Sequence, residues 1–319
     1  MTEYLIQLAY LAIGFAVLVK GADWFVDGAA ALAKKFGIPE LVVGLTIVAM
    51  GTSLPEAAVS ITGVVKGSAG IAIGNVIGSN ICNILLILGV TAAITRLQIQ
   101  QSTIRYEIPF MIFISGVLLA MGTSGGIITR MEGGILWGLF VVYLIYLKFL
   151  TDNTPEEETE AVSADEEGEP PSVGKCVGLI IVGATMIIYG SDLAVQGAKT
   201  LAQLFGMSDR LIGLTIVAIG TSLPELATSA VAALKGDADI AVGNIVGSNI
   251  FNILFVIGTT ALIVPVRFAE EFVQDGIIAI GVALLLWAGI FRTASAGRPL
   301  GVTLLILYAA YTAHLLGAF

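Results

Sequence analysis

Two glutamates stand in the middle of strongly apolar runs, and hydroxyl side chains precede each of them at short spacing. Glu56 ends the stretch GTSLPE, and Glu225 ends a second, identical GTSLPE. Thr52 and Ser53 lie four and three residues before Glu56, so on a helix these three side chains share one face. Carboxylates and other oxygen ligands are what a hard cation such as calcium takes in proteins. The pattern therefore predicts an oxygen-lined cation site supplied by two copies of one motif.

A proline directly before each glutamate predicts a local opening of the helix. Pro55 has no N–H, so the carbonyl of Gly51, four residues back, loses its helical hydrogen bond. Pro224 does the same to the carbonyl of Gly220. We therefore expect free backbone carbonyls beside each glutamate. The glutamate face also carries the residues seven, four and three positions earlier, which are Ala49, Thr52 and Ser53 in the first copy and Ala218, Thr221 and Ser222 in the second.

A second duplicated stretch adds amide groups to the candidate site. IAIGNVIGSNICNIL (71–85) matches IAVGNIVGSNIFNIL (240–254) at eleven of fifteen positions. Ser79 and Asn83 share a helix face, as do Ser248 and Asn252, and we predict that these side chains line the site. The other asparagines of the two stretches are expected to bond neighbouring helices: Asn75, Asn80, Asn244 and Asn249.

Other metal and catalytic chemistry lacks the residues that it needs. The lone histidine, His314, lies near the C-terminus, and the two cysteines, Cys82 and Cys176, offer neither a soft-metal site nor a disulfide framework. The sequence contains no HExxH motif and no nucleophilic serine with a partnering histidine or lysine. These observations argue against an enzyme, and we expect no cofactor.

The composition places the two motifs in a polytopic membrane protein. Of 319 residues, 57% are hydrophobic and only 12% are charged, against about 25% charged in soluble domains. The net charge of −9 is concentrated in one tract, where nine acidic residues fall between Asp152 and Glu169 and disorder is expected. We therefore divide the chain into a first repeat at 1–150, an acidic linker at 151–173 and a second repeat at 174–319.

Ten apolar segments are long enough to cross a bilayer, since a membrane helix needs about 20 mostly apolar residues. Five precede the linker and five follow it. They are predicted at 4–32, 40–64, 70–94, 106–124, 131–150, 174–202, 210–233, 239–264, 272–291 and 300–317.

The two halves repeat at a constant offset of 169 residues. GLTIVAMGTSLPEAA (44–58) and GLTIVAIGTSLPELA (213–227) are identical at thirteen of fifteen positions. Because five spans is an odd number, the second half must enter the membrane in the opposite direction, as in many secondary transporters. The predicted fold is therefore an all-α polytopic membrane protein of ten transmembrane helices, arranged as two inverted five-helix repeats.

Lysine and arginine counts predict how the chain is oriented, since they concentrate in cytoplasmic loops. With the N-terminus outside, the inward loops carry nine of these residues and the outward loops five. This distribution favours both termini outside and the acidic linker in the cytoplasm.

The charge of the two glutamates gives the site a mechanism. Two ionised carboxylates carry −2, which one calcium ion or two sodium ions neutralise. An empty site would carry −2 into a low-dielectric setting, which is costly, so exchange is favoured over uncoupled leak. A purely structural alternative is a pair of protonated glutamates hydrogen-bonded to neighbouring helices.

The paired motifs GTSLPE…GNVIGSNICN and GTSLPE…GNIVGSNIFN resemble the two alpha repeats of sodium/calcium exchangers, in the cation/calcium antiporter superfamily. The resemblance covers nearly the whole chain and implies a minimal exchanger of a prokaryotic inner membrane, in which sodium drives calcium out by alternating access. It implies that Glu56 and Glu225 are central calcium ligands, shared with sodium, and that Thr52 and Thr221 complete the calcium site. It implies that Asn83 and Asn252 occupy the remaining polar positions of the site. It also implies that the sodium sites are lined by Ala49, Ser53, Ser79, Ala218, Ser222 and Ser248.

This chain differs from part of the family at one position of the predicted site. Some microbial members have aspartate where this chain has Asn252. The family's long first and sixth spans, which slide against the core, correspond to 4–32 and 174–202. Asp23 and Asp192 occupy matched places in them. They are candidates for gating residues or for helix-end residues, and we expect both to lie near helix ends.

Two alternatives remain open on the sequence. A proton/calcium antiporter, or a potassium-dependent one, would share the fold and the site. A passive cation channel would use the same ligands without a counter-ion. In every case the expected partners are the lipid bilayer and the calcium and sodium ions, with no nucleic acid and no obligate protein partner.

Overall fold

The computed structural model of the protein describes residues 2–65, 69–153, 171–206 and 218–316, and most of them are helical. The first half contains helices Thr2–Phe36, Glu40–Val43, Ala49–Thr52, Leu54–Val65, Ala69–Cys82, Gly89–Ile94, Ile108–Gly125 and Arg130–Asn153. The second half contains helices Val173–Leu204, Ala218–Thr221, Leu223–Lys235, Ala238–Phe251, Gly258–Ile263, Glu271–Ile290 and Arg298–Leu315. Wider, π-helical turns lie at Gly44–Val48, Asn83–Leu88, Thr103–Glu107 and Asn252–Ile257. The acidic stretch 154–170, for which we predict disorder, lies outside the described residues.

Within the described ranges, seven helices are long and apolar enough to span a membrane, or eight if the bent pair Glu40–Thr52 and Leu54–Val65 counts as one span. Of the other two predicted spans, 210–233 begins outside the described residues, and 300–317 corresponds to the helix Arg298–Leu315. The prediction of a helical membrane protein is confirmed, and the full count of ten stays a prediction.

Two continuous helices form the centre of the protein. We call Gly70–Ile94 the Asn83 helix and Ala238–Ile263 the Asn252 helix. In the most apolar stretch of each helix, 72% of the residues of the Asn83 helix and 94% of those of the Asn252 helix are buried. In the other unbroken candidate spans only 22–28% of the corresponding residues are buried. The surrounding helices therefore shield these two, and polar side chains on them face protein.

The longest helices, Thr2–Phe36 and Val173–Leu204, pack against each other along a seam of glycines. The seam glycines recur every seven residues and match across the repeat offset: Gly14, Gly21, Gly28, Gly183, Gly190 and Gly197. Small residues let helix backbones approach closely. Gly14 faces Gly190 and Ala194, whereas Gly28 faces Cys176, so the two helices run antiparallel.

Asp23 and Asp192 lie in the interiors of these long helices, so the expectation that they lie near helix ends is wrong. Asp23 pairs with Lys235 at 2.6 Å, and the same ammonium contacts Asp27 at 2.5 Å. Lys235 ends the helix that begins at Leu223. The expectation fails because two lysines accommodate Asp23 inside the helix: Lys20, three residues before it at 2.5 Å, and Lys235 from a distant part of the chain.

The helix breaks predicted at the two prolines are confirmed. In the first half the helix ends at Thr52, turns at Ser53, and resumes at Leu54 with a bend of 46°. The second half repeats the break with a turn at Ser222, whose φ and ψ of −91° and 5° closely match the −87° and 7° of Ser53.

Four two-residue strands, which the all-α prediction did not include, join the two halves. Leu97–Gln98 pairs antiparallel with Ser295–Ala296. Ile127–Ile128 pairs antiparallel with Val266–Arg267. Each ladder therefore takes one strand from the first half and one from the second.

Candidate cation site

The two glutamates occupy the first turns of the helices that follow the breaks. Only 1% of the surface of Glu56 and of Glu225 is exposed. The helix of Glu56 packs on the Asn83 helix and on the π-helical turn at Asn252–Ile257. The helix of Glu225 packs on the Asn252 helix and on the π-helical turn at Asn83–Leu88. Each carboxylate is thus positioned by both halves of the chain.

The carboxylates have few protein donors. Ser53 Oγ donates to Glu225 Oε1 at 2.8 Å, which joins the hydroxyl of one half to the carboxylate of the other. The second oxygen of Glu225 and both oxygens of Glu56 are buried without a hydrogen-bond partner. Glu56 and Glu225 are also close enough for their like charges to interact.

The asparagines form a reciprocal set of hydrogen bonds across the halves. The amides of Asn80 and Asn249 donate to each other's backbone carbonyls at 3.2 and 3.3 Å. Asn83 Nδ2 donates to Asn249 Oδ1 at 2.9 Å, and Asn252 Nδ2 donates to Asn80 Oδ1 at 3.1 Å. The side-chain oxygens of Asn83 and Asn252 are buried and unpartnered. Each of these two amides therefore keeps a carbonyl oxygen free for a ligand while its nitrogen is fixed.

Asn75 and Asn244 hold the glutamate helices against the central ones. Asn75 Nδ2 donates to the backbone carbonyl of Glu56 at 3.2 Å, and Asn244 Nδ2 donates to that of Glu225 at 3.3 Å. Thr52 Oγ1 donates to Asn244 Oδ1 at 3.0 Å. The prediction that Asn75, Asn80, Asn244 and Asn249 bond other helices is confirmed.

The remaining predicted site residues differ in their burial and in their contacts. Ala49 and Ser248 are brought together, with 3.4 Å between the hydroxyl of Ser248 and the carbonyl of Ala49. Ser79 is buried, and Ser222 is buried with an unpartnered hydroxyl. Thr221 is partly buried, and the side chain of Ala218 lies outside the described part of the structure.

The unpartnered atoms indicate what this arrangement can bind. Within the described residues nine buried side-chain oxygens have no partner, and six of them belong to the predicted site: two of Glu56 and one each of Glu225, Asn83, Asn252 and Ser222. Buried polar atoms are nearly always hydrogen-bonded, so such a set calls for a ligand. The atoms are acceptor oxygens with one hydroxyl among them, and a hard cation satisfies such atoms.

The site differs from a cluster of acidic or imidazole ligands. The described residues contain no group of three or more His, Cys, Asp and Glu side chains placed to hold a metal. A cation here would take amide, hydroxyl and backbone oxygens beside the two carboxylates. Such mixed ligands suit an ion that must also leave, because fewer charges hold it.

Sequence reasoning missed one buried carboxylate, Glu107. Glu107 is fully buried. One of its carboxylate oxygens is unpartnered, and the other two unpartnered oxygens outside the predicted site are the hydroxyls of Thr103 and Tyr143. The available signal was an acidic residue inside the predicted span 106–124. An ionisable residue at such a position is a functional hypothesis by default.

Comparison with known proteins identifies the family of the chain. The family model described as sodium/calcium exchanger protein matches residues 6–149 and 175–317. The putative antiporter CaxA of Alkalimonas amylolytica is 40% identical over 264 residues, 82% of each chain. The sodium/calcium exchanger MaX1 of Methanosarcina acetivorans is 32% identical over 342 residues, which cover 96% of this chain and 97% of that one.

A solved structure extends the match to three dimensions. The sodium-calcium exchanger NCX_Mj superposes with a TM-score of 0.82 at 32% identity, covering 97% of this chain and 99% of that one. The family model and these matches together span nearly the whole chain. The protein is therefore an integral membrane antiporter that belongs to the sodium/calcium exchanger family.

Proposed function

We propose that this protein exchanges sodium for calcium by alternating access, and that Glu56 and Glu225 bind both ions in turn. The observation that carries the proposal is the set of six unpartnered oxygens, five of which belong to the matched pairs Glu56/Glu225 and Asn83/Asn252. In this assignment Thr52, Thr221, Asn83 and Asn252 complete the calcium site. The sodium sites are lined by Ser53, Ser222, Ser79, Ser248, Ala49 and Ala218.

Two packing features support an inverted ten-span arrangement. The long helices Thr2–Phe36 and Val173–Leu204 are equivalent in the repeat, yet they run antiparallel. Equivalent helices that point in opposite directions are what inverted repeats require.

The strand pairs support the same arrangement by parity. Six predicted spans separate Leu97–Gln98 from its partner Ser295–Ala296, and four separate Ile127–Ile128 from Val266–Arg267. An even number of spans returns the chain to the same side of the membrane. Two strands can pair only if they lie on the same side, so both counts agree with the pairing. Five spans separate Leu97–Gln98 from its repeat equivalent Val266–Arg267, so equivalent strands lie on opposite sides.

We further propose that the repeats are 1–150 and 174–319, with the linker 151–173 in the cytoplasm and both termini outside. This orientation follows from the excess of lysine and arginine on the inward loops. We also propose that the protein lies in a prokaryotic inner membrane and works in the direction of calcium extrusion, and its similarity to a bacterial antiporter and an archaeal sodium/calcium exchanger supports this assignment. The ion pair of Lys235 with Asp23 then lies toward the cytoplasmic end of the bundle.

Charge balance explains why transport is coupled. With both glutamates ionised, one calcium ion or two sodium ions give a nearly neutral core that can change its access. Without an ion the site keeps −2 among apolar walls, and the oxygens of Glu56 have no donor to offset that cost. The empty site therefore reorients poorly, and each calcium that leaves must be replaced.

Uptake of radioactive calcium into proteoliposomes tests the proposal. Vesicles loaded with sodium, with potassium or with a proton gradient are compared for the wild type, Glu56→Gln and Glu225→Gln. Glu132→Gln is the matched control, because Glu132 is only partly buried and its hydrogen bonds go to Thr129 at the start of its own helix. We expect uptake that needs internal sodium, is lost in both site variants and is retained in the control.

Other outcomes would redirect the assignment. Uptake driven by the proton gradient alone would move the protein to proton/calcium antiport, and a requirement for potassium would make it potassium-dependent. Uptake without any counter-ion would indicate a channel. Transport retained in Glu56→Gln and Glu225→Gln would contradict the charge argument itself.

A further inference from the structure

Glu107 is a second fully buried carboxylate, outside the cation site. It ends the π-helical turn Thr103–Glu107, which leads into the helix Ile108–Gly125. None of its surface is exposed. Its partners come from the helix Arg130–Asn153, which supplies no residue of the proposed cation site.

The surroundings of Glu107 are rich in hydroxyls. Tyr146 donates its phenol hydrogen to Glu107 Oε1. Glu107 Oε2, Tyr143 Oη and Thr103 Oγ1 are all buried and have no hydrogen-bond partner. These three atoms are the remaining unpartnered buried side-chain oxygens in the described part of the chain. Thr103 and Glu107 belong to one helical turn, and Tyr143 lines the same cavity as Glu107.

No positive charge offsets this carboxylate among the residues that the structure describes, where ion pairs involve only Lys20 and Lys235. The facing helix presents the phenols of Tyr143 and Tyr146. The same turn presents Arg105 and Tyr106, which line a neighbouring cavity of about 330 Å³ together with Glu107. From the helix Glu271–Ile290, Trp287 donates its indole N–H to the carbonyl of Ile104 at 2.7 Å and does not titrate.

A single proton accounts for these observations better than an ion does. An ionised carboxylate buried without a cation is costly, and the group neutralises instead. A proton on Glu107 Oε2 makes it a donor toward the unpartnered hydroxyls of Tyr143 and Thr103, directly or through one water. Glu107, Tyr143 and Tyr146 all line the neighbouring cavity of about 330 Å³, so the carboxyl and the two phenols face one space.

We infer that Glu107, framed by Thr103, Tyr143 and Tyr146, is a proton-binding site separate from the cation site. The proton holds the turn Thr103–Glu107 against the helix Arg130–Asn153 through hydrogen bonds. The inference does not rest on which cation is exchanged. The proton lies outside the proposed transport site and stabilises the structure. Losing this proton should therefore loosen the packing between the helices Ile108–Gly125 and Arg130–Asn153.

Glu107→Gln gives a matched mimic of the protonated acid. Its amide oxygen can accept from Tyr146, and its amide nitrogen can donate toward Tyr143 or Thr103. Because the folded wild type holds a proton that the unfolded chain releases near neutral pH, the wild type should lose stability as the pH rises. The glutamine variant should lack this component and melt above the wild type on the alkaline side.

Infrared difference spectroscopy tests the proton directly. The experiment uses the full chain with Glu56→Gln and Glu225→Gln, so that the site carboxylates do not contribute, and compares it with the same chain carrying Glu107→Gln as well. We expect a carboxylic-acid carbonyl band near neutral pH that shifts in D₂O and is absent from the chain with Glu107→Gln. The apparent melting temperatures of the wild type and Glu107→Gln are followed over the same pH range.

Each outcome decides the inference. A band lost with Glu107→Gln, together with melting curves that diverge at high pH, supports it. Equal spectra in both chains show that Glu107 is ionised and overturn it, and so does a band that disappears when sodium or potassium is added, which would indicate a cation at Glu107. Identical pH dependence of melting in the wild type and Glu107→Gln overturns the structural role.

Discussion

The glycine seam between the two long helices leads to a sharp stability prediction. A Cβ atom at Gly190 would lie 2.5 Å from the backbone nitrogen of Leu18 and 2.9 Å from the carbonyl oxygen of Gly14. Gly178, on the same helix, has no atom within 4 Å of the corresponding position. Gly190→Ala and Gly178→Ala therefore make the same chemical change in a crowded place and in an open one.

The size of the difference follows from the contact. Both substitutions gain roughly 0.5–1 kcal/mol of helix propensity, because glycine loses more backbone freedom on folding than alanine does. At Gly190 the nearest backbone atom must retreat from 2.5 Å to about 3.4 Å, the start of ordinary contact. Overpacking of this kind costs about 1–3 kcal/mol. We expect Gly178→Ala to be slightly more stable than the wild type and Gly190→Ala to be less stable than Gly178→Ala by about 1–3 kcal/mol.

Thermal unfolding in one detergent, at one pH and heating rate, measures the order. The order of apparent melting temperatures is the result to compare, because membrane proteins often unfold irreversibly. Gly14→Ala provides a second test from the opposite helix, since its Cβ would lie 2.5 Å from the backbone nitrogen of Ala194. If Gly190→Ala melts with or above Gly178→Ala, the backbones do not touch at the seam and the reasoning fails.

Two further predictions concern the site and the ion pairs beside it. Ser53→Ala removes the hydroxyl that orients the Glu225 carboxylate, a bond to a charged group that is worth about 1.5–3 kcal/mol, so calcium binding measured by calorimetry should weaken by up to roughly 10–100-fold. Unchanged affinity would show that this bond is equally strong with and without calcium. Lys235→Met removes one ion-pair partner of Asp23, which keeps Lys20, and one of Asp27. The side chains of Asp23 and Asp27 are 30% and 52% exposed, so the loss of stability should stay below about 2 kcal/mol and shrink in high salt. A loss that does not depend on salt would rule out the ion pairs as its cause.

The local features of the fold could be predicted from the sequence because their causes are local. Pro55 and Pro224 each remove one backbone hydrogen bond, and the helices break at Ser53 and Ser222 as expected. The offset of 169 residues identified equivalent positions before any packing was known. The matched asparagines could be separated into those expected to bond other helices and those expected to line the site, because Asn83 and Asn252 each share a helix face with a serine.

What the sequence could not give depends on which helices meet. Nothing in the stretch around Asn83 indicates that its nitrogen is held by Asn249, because that contact joins residues from opposite halves. Asp23 was misjudged in part for the same reason, since one of its two ion-pair partners, Lys235, is distant in the chain. Glu107 was overlooked because its importance comes from unpartnered neighbours on another helix.

The reciprocal amide bonds have a consequence for how the chain holds together. Among the described residues, the side-chain nitrogen of Asn83 donates to Asn249 and that of Asn252 donates to Asn80. Neither half can satisfy these donors by itself, so in folding terms the halves behave as two subunits of an obligate complex that share one peptide chain. Cleavage within 151–173 should then yield two fragments that remain associated and copurify, and fragments expressed separately should reassemble.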